Sequence, residues 1–177
     1  MPSIHKIGKF NKTGKDLLGS GYGELEKNVQ ARSIGNGSWT AVLEYSKAKD
    51  GVIAGTSGSF AFRIAGTDEV FTLPLGAQIT KAEYLVTETF TSATDAAVLA
   101  IGIPTDDVAG IVAGLAISNA SNIWDAGTKL KAGIQTGVLA TYAEVTTAER
   151  TIVLTNTNAE ATTAGALKLV IDYVDLA

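Results

Sequence analysis

The sequence contains no cysteine and one histidine, His5. Without cysteine the chain can form neither disulfide bonds nor thiolate metal sites. A single histidine near the start of the chain leaves no partner for a nucleophilic triad and too few ligands for a usual zinc site. We therefore predict that the protein is not an enzyme and that it binds no cofactor and no metal.

Long apolar runs are also missing. A membrane-spanning helix needs about 18 or more apolar residues in succession. The richest stretch, Val108 to Ile117, is shorter and contains Gly110 and Gly114. The first residues alternate lysine with other residue types and contain no apolar core of a signal peptide. The sequence therefore predicts no secretion signal and no membrane partner.

Charged residues are scarce, at 18% of the chain, and they are unevenly distributed. Residues 1–37 contain six basic and three acidic residues, a net charge of +3, whereas residues 38–177 contain eight basic and fifteen acidic residues, a net charge of −7. Such a distribution predicts that the basic segment docks on an acidic surface. The segment lacks the arginine clusters and interleaved aromatic residues of a nucleic-acid patch, so we do not expect nucleic acid as a partner.

Residues 1–37 are predicted to form an extended N-terminal arm that precedes the folded domain. Seven glycines interrupt them and no apolar periodicity persists. A disordered terminus would fit this composition, but it would not need the spaced apolar side chains that this segment contains. We interpret these side chains as candidate partner-binding residues of the arm: Ile4, Ile7, Phe10, Leu17, Leu18 and Tyr22.

Residues 38–177 are predicted to form a single β-rich domain. Alternation of apolar and polar residues predicts strands whose inner faces carry Trp39, Ala41, Leu43 and Tyr45 in one case and Ala82, Tyr84, Val86 and Phe90 in another. The last strand should place Leu167, Leu169, Ile171 and Tyr173 inward. We expect this last strand to pair with the long strand at 77–91 or with its neighbour.

One segment favours a helix. Thr105 can cap it, two aspartates follow, and Val108, Ile111, Val112 and Leu115 repeat at helical spacing. A short helix is therefore predicted over 105–117, despite its two glycines. With about eight short strands and at most one short helix, the predicted fold is all-β: an antiparallel β-sandwich of jelly-roll type.

Carboxylates in predicted loops are the remaining candidates for chemistry. A calcium ion could be held by three of them, but their spacing matches no EF-hand loop. The alternative is that they turn loops and cap the predicted helix. The residues concerned are Asp95, Asp106, Asp107 and Asp125.

Between Leu73 and Val174 a series of phrases resembles small structural proteins of tailed bacteriophages, which decorate or cement the head shell or form short head fibres. This region is more than half of the chain. The phrases are LPLGAQIT (73–80), FTSATDAA (90–97), IGIPTDDVAGI (101–111), WDAG (124–127), TTAER (146–150), TAGALKL (163–169) and DYV (172–174). Residues 1–37 show no such resemblance.

The resemblance implies a jelly-roll-like body that is often trimeric and attaches to the major capsid protein. It implies location in the virion, with assembly in the host cytoplasm, and it carries no catalytic residues. With the basic arm, it predicts a capsid decoration or cement protein. The alternative is a tail- or fibre-associated module that recognises a host glycan or receptor, in which exposed aromatic residues such as Trp124 and Tyr142 would stack on sugars. Trp124 could equally be a loop residue that fills the core.

Overall fold

The computed structural model describes residues 31–35, 38–56, 58–104, 107–132 and 145–176. Within these ranges nearly all regular structure is antiparallel β-sheet, and the single helix is one turn long. The prediction of an all-β sandwich is therefore confirmed. The described part begins at residue 31, so most of the predicted arm lies outside it.

Twelve strands and one helix make up the regular structure of the described residues. In chain order they are β1 (Ala31–Gly35), β2 (Ser38–Ser46), α1 (Lys47–Asp50), β3 (Gly58–Ala61), β4 (Arg63–Ile64), β5 (Thr72–Leu73), β6 (Ala77–Ser92), β7 (Val98–Ile103), β8 (Asp107–Ala116), β9 (Lys131–Ala132), β10 (Arg150–Thr151), β11 (Val153–Asn156) and β12 (Thr162–Asp175).

The larger sheet has the strand order β1-β2-β12-β6-β9, and β4 pairs with β2 in addition. Strand β12 lies at its centre, antiparallel to β2 on one side and to β6 on the other. The predicted pairing of the last strand with the long strand is thus confirmed. Register shifts between β6 and β12 mark β-bulges, which bend this long pair of strands.

The smaller sheet has the order β3-β11-β7-β8, and a two-stranded sheet of β5 and β10 adjoins it along the chain. The inner faces of the two main sheets meet in one hydrophobic core. The predicted inner faces of β2 and β12 are confirmed, because Leu43, Leu169 and Ile171 are fully buried while Lys168 on the opposite face is exposed. The alternation of apolar and polar residues identified the buried faces correctly, because each of these strands has one face toward the core.

The predicted helix at 105–117 is wrong. Residues 107–116 form β8, which pairs antiparallel with β7, so that Leu115 lies opposite Leu99 and Val112 opposite Ile101. Two register shifts interrupt this ladder. They allow the neighbouring residues Ile111 and Val112 both to be fully buried, which removes the alternation that marks a strand. β-Branched residues favour a strand, and the two glycines disfavour a helix.

One other boundary differs from the prediction. Strand β1 pairs with β2, so the sheet includes residues that the sequence assigned to the arm. The one helical turn, Lys47–Asp50, follows β2 directly. Strand β9 is described as Lys131–Ala132, and the residues that follow it lie outside the described ranges.

Candidate interaction surfaces

The predicted partner-binding residues of the arm lie outside the described residues, as does His5. Their role therefore remains a prediction. The predicted arm residues are Ile4, Ile7, Phe10, Leu17, Leu18 and Tyr22. The structure describes the surfaces of the body that could receive a partner.

The outer edge of β2 is shared by two strands. Strand β1 occupies its first part, with Ala31 opposite Ala41. Strand β4 occupies its last part, with Ile64 opposite Leu43, and the Ala65 N–H donates to the Val42 carbonyl at 2.9 Å. Strand β4 therefore fills the positions on β2 that follow those paired with β1.

The opposite side of the sandwich is closed by Trp124. Its indole N–H donates to the Leu115 carbonyl of β8 at 3.0 Å, and its own carbonyl accepts from the Phe90 N–H of β6 at 3.1 Å. The ring packs edge-on against Phe90 and tilted against Tyr84. Trp124 is fully buried, so it joins the edges of the two sheets and cannot stack on a sugar.

The loop that carries Trp124 is held by a lysine. The Lys131 ammonium donates to the carbonyls of Asn122 and Ile123, both at 2.8 Å, and to that of Asp125 at 3.0 Å. Burial lowers the pKa of Lys131. Three carbonyl acceptors satisfy all three ammonium donors, so this lysine has a structural role in fixing the loop against β9.

A buried ion-pair network lies beside β2 and α1. The Arg63 guanidinium donates from Nε and Nη2 to the two carboxylate oxygens of Asp50, and from Nη1 to Glu44 at 3.1 Å and to the Thr67 carbonyl at 2.6 Å. The side chains of Arg63 and Asp50 are only 9% and 8% exposed. This two-pronged geometry is typical of a strong arginine–carboxylate pair.

The network fixes the charge state of Asp50. Burial would raise the pKa of Asp50, but hydrogen bonds from Arg63 and from the Ser46 N–H outweigh it and hold the pKa below its usual value. The hydrogen bond to Asp50 raises the pKa of Arg63 in turn. Both groups are therefore charged at neutral pH, and they fasten α1 to the edge of the larger sheet.

Glu160 holds together the loops at the same end of the sandwich. Its carboxylate accepts hydrogen bonds from the Ser92 hydroxyl, from the hydroxyl and N–H of Thr94 at 2.8 and 2.9 Å, and from the Ala96 N–H at 3.0 Å. The hydrogen bond from Ser92 is the main reason that the pKa of Glu160 is lowered. We call this end, formed by α1 and by the loops 51–56, 93–97 and 157–161, the closed end.

The carboxylates considered for calcium do not come together in the described part of the chain. Asp95 lies in the turn after β6, where its carboxylate accepts from the Ser92 N–H at 3.3 Å. Asp125 lies in the Trp124 loop, far along the chain. No group of three potential ligands that could hold a metal ion occurs among the described residues. Asp106 lies outside them.

The opposite end carries exposed apolar residues. Gly76 receives a hydrogen bond from the Leu176 N–H at 3.0 Å and donates to the Thr146 carbonyl at 2.9 Å. These bonds bring Leu75, Val145 and Leu176 to one place, where they are 54%, 43% and 60% exposed. We call this place the open end. It holds three of the six large hydrophobic residues that are exposed in the described part of the chain.

Sequence reasoning missed the ion-pair network, the Glu160 contacts and the open end. Their members come from distant parts of the chain, since Glu160 is 68 residues from Ser92 and Thr146 is 69 residues from Ala77. Only the sequence Pro74-Leu75-Gly76 could have given a local signal, because proline and glycine at this spacing favour a tight turn. Within the described residues, no helix is long and apolar enough to cross a membrane.

Comparisons with known proteins give no family. No family model matches the chain, and no curated protein matches it. A chain of the acidic stable capsid structure of Helicobacter pylori bacteriophage KHP30 is similar, with a TM-score of 0.48 and 15% identity over 82% of this chain and 93% of that chain. A chain of the cyanophage Pam1 capsid asymmetric unit is similar with a TM-score of 0.45 and 18% identity, over 81% of this chain and 90% of that chain.

Proposed function

We propose that this protein is a structural component of a tailed-phage virion that decorates or cements the capsid by binding the major capsid protein. The N-terminal arm is its attachment element. The resemblance of the phrases between Leu73 and Val174 to phage head-decoration proteins supports this function. So does the combination of a self-contained β-sandwich with a separate basic segment that carries regularly placed apolar residues.

The observation that carries the proposal is the arrangement of β1 and β4 on the edge of β2. Together these two strands fill the outer edge of β2. We infer that the proposed arm does not extend this pairing beyond Ala31. A segment of 30 residues can span up to about 100 Å when fully extended. An arm that leaves the body in this way can reach neighbouring capsid subunits.

The first residues of the arm repeat with a period of three. The triplets Ile-His-Lys, Ile-Gly-Lys, Phe-Asn-Lys and Thr-Gly-Lys occupy residues 4–15. In an extended segment with three residues per turn, this repeat would place the apolar side chains in one row and the lysines in another. Burial of four side chains such as Ile4, Ile7, Phe10 and Leu17 would contribute about 6–12 kcal/mol before the cost of ordering the segment.

Deletion of residues 2–18 tests the attachment role. The deletion variant and the full chain are mixed with heads that lack this protein, and the occupancy of the heads is measured after sedimentation. We expect the full chain to bind and the variant to bind weakly or not at all. Unchanged occupancy would contradict the role of the arm.

Two matched sets of substitutions separate apolar from electrostatic attachment. Replacement of Ile4, Ile7 and Phe10 by serine removes the apolar row, and replacement of Lys6, Lys9 and Lys12 by glutamine removes the basic row. We expect the serine set to lower occupancy at every salt concentration. The glutamine set should lower it mainly at low salt, because exposed charges are screened at high salt.

The resemblance also favours a homotrimer, which we include in the proposal. Native mass spectrometry of the free protein measures this directly, and the copy number in the particle distinguishes the site of attachment. Hundreds of copies would agree with decoration of the shell, whereas a few copies would place the protein at the neck, tail or fibre and contradict the cement role.

A further inference from the structure

We propose that, in the free subunit, residues 4–10 of the arm dock on the open end of the same chain, against Leu75, Val145 and Leu176. This inference rests on the proposed role of the arm as attachment element. It adds a second site for the same apolar residues: the open end covers them before the subunit binds a capsid, and they are released on attachment.

The area of the open end fits a short extended segment. Its three half-exposed residues offer on the order of 300 Å² of apolar surface, whereas a stable interface between folded partners buries about 800 Å² on each side. The open end alone is therefore too small to hold a second folded copy. It matches the two or three apolar side chains that a segment such as residues 4–10 presents.

Charge complementarity favours the arm over other segments. The first fifteen residues contain four lysines and no acidic residue, while residues 38–177 have a net charge of −7. Two acidic residues, Asp175 and Glu149, are exposed close to the open end along the chain, beside the single basic residue Arg150. In residues 4–12 each apolar residue is followed two positions later by a lysine. This pattern is complementary to an apolar surface with acidic residues at its border.

The arm is long enough to reach the open end of its own body. Ala31 lies opposite Ala41, which lies opposite Ile171 on β12. The path from Ala31 to Leu176 therefore crosses two strand spacings and then runs five residues along the chain from Ile171. The resulting distance is about 20 Å. Residues 11–30 can span about 65 Å. A tether with this excess length keeps residues 4–10 at a high effective concentration near the open end.

Engineered disulfides test the contact, since the chain has no cysteine of its own. The variant Ile7→Cys/Leu75→Cys is oxidised mildly as the free, full-length protein. We expect an intramolecular crosslink that forms several-fold more completely than in the control variant Ile7→Cys/Ala93→Cys. Ala93 is exposed in the turn after β6, at the closed end.

Three outcomes would overturn the inference. Equal crosslinking to positions 75 and 93 would mean that the arm has no preferred site. Crosslinked dimers from a mixture of the single variants Ile7→Cys and Leu75→Cys would assign the open end to the arm of another copy. Dimers of Leu75→Cys alone would assign it to the open end of a second copy.

Limited proteolysis gives an independent measurement with a matched control. Leu75→Ser/Leu176→Ser should expose the arm, so that trypsin cleaves after Lys6, Lys9 and Lys12 several-fold faster than in the wild type. Val52→Ser replaces another exposed apolar residue, at the closed end, and should leave the rate unchanged. Equal rates in all three proteins would contradict the docking.

The proposed function and this inference can fail separately. If deletion of residues 2–18 leaves head occupancy unchanged while the crosslink between positions 7 and 75 forms, the arm docks on its own body but does not attach to capsids. If the deletion abolishes occupancy and the crosslink does not form, the arm attaches to capsids without a site on its own body.

Discussion

At the closed end of the sandwich, charged side chains hold the loops. At the open end, backbone hydrogen bonds mainly hold the Pro74–Gly76 turn, and leucine and valine side chains are exposed. Arg63, Asp50 and Glu160 find all their partners within the chain. Leu75 and Leu176 do not find apolar partners that cover them. The difference is that charged contacts tie the loops of one end together, whereas the other end leaves more apolar surface exposed.

The largest expected effect lies at the closed end. Arg63→Ala leaves the buried Asp50 carboxylate without its counter-charge and should lower the free energy of unfolding by about 3–5 kcal/mol. Lys49→Ala removes the solvent-exposed pair with Asp68 at 2.7 Å and should lower the free energy of unfolding far less, because exposed ion pairs contribute little. Urea unfolding of both variants measures the difference. Similar losses would show that the closed end does not depend on its buried network.

The next largest loss of stability is expected for a substitution of Gly55, at the closed end. A Cβ atom on Gly55 would lie 1.9 Å from the Ala159 carbonyl oxygen, so Gly55→Ala must push two loops apart. We expect a loss of about 1–3 kcal/mol in the free energy of unfolding. Gly127→Ala is the control, because nothing lies within 4 Å of its added Cβ. Equal stability of the two variants in urea would mean that the loops are not closely packed.

Protonation of Glu160 should loosen the closed end in acid. The pKa of Glu160 is lowered in the folded protein, so its contribution to stability is present above the unfolded pKa and is lost as the pH falls through the folded pKa. The advantage of the wild type over Glu160→Gln should therefore be present at neutral pH and be lost progressively as the pH falls below the usual glutamate pKa of about 4.3. Unfolding midpoints across this range measure it. A difference that does not depend on pH would contradict the ionised clamp.

The smallest effect on stability is expected at the open end. Leu75→Ser changes an exposed side chain and should shift the free energy of unfolding by less than about 0.5 kcal/mol. Leu73→Ala, two residues earlier, empties a core position that is 1% exposed and should cost about 2–5 kcal/mol. Thermal and urea unfolding compare the two. A large loss in Leu75→Ser would mean that Leu75 supports the fold.

The sequence predicted the parts of the fold that depend on local alternation. The inner faces of β2, β6 and β12 follow from a period of two, because each strand has one side in the core. The period fails where bulges interrupt a ladder, as at Ile111 and Val112, and there a helix was predicted in error. A bulge depends on the partner strand, which a local pattern does not contain.

The candidate surfaces were less predictable than the fold. From the sequence, Trp124 could be either a core residue or a sugar-binding residue. Its hydrogen bonds with Leu115 and Phe90 show that it is a core residue. The open end depends on Gly76 lying between Thr146 and Leu176, segments that are distant in sequence. The arm was identified from charge and spacing alone, and its contacts remain predictions.

The central place of β12 has a consequence for synthesis of the protein. Strands β2 and β6 do not pair with each other, because β12 lies between them and pairs with both. Neither strand has this partner until residues 162–175 have been made. The larger sheet therefore cannot close while the ribosome is still adding those residues, although the arm has emerged long before. Contacts between positions that are more than 100 residues apart, such as Thr40 and Asp172, also make folding slow. Nascent chains must keep the edges of β2 and β6 from other partners until β12 arrives.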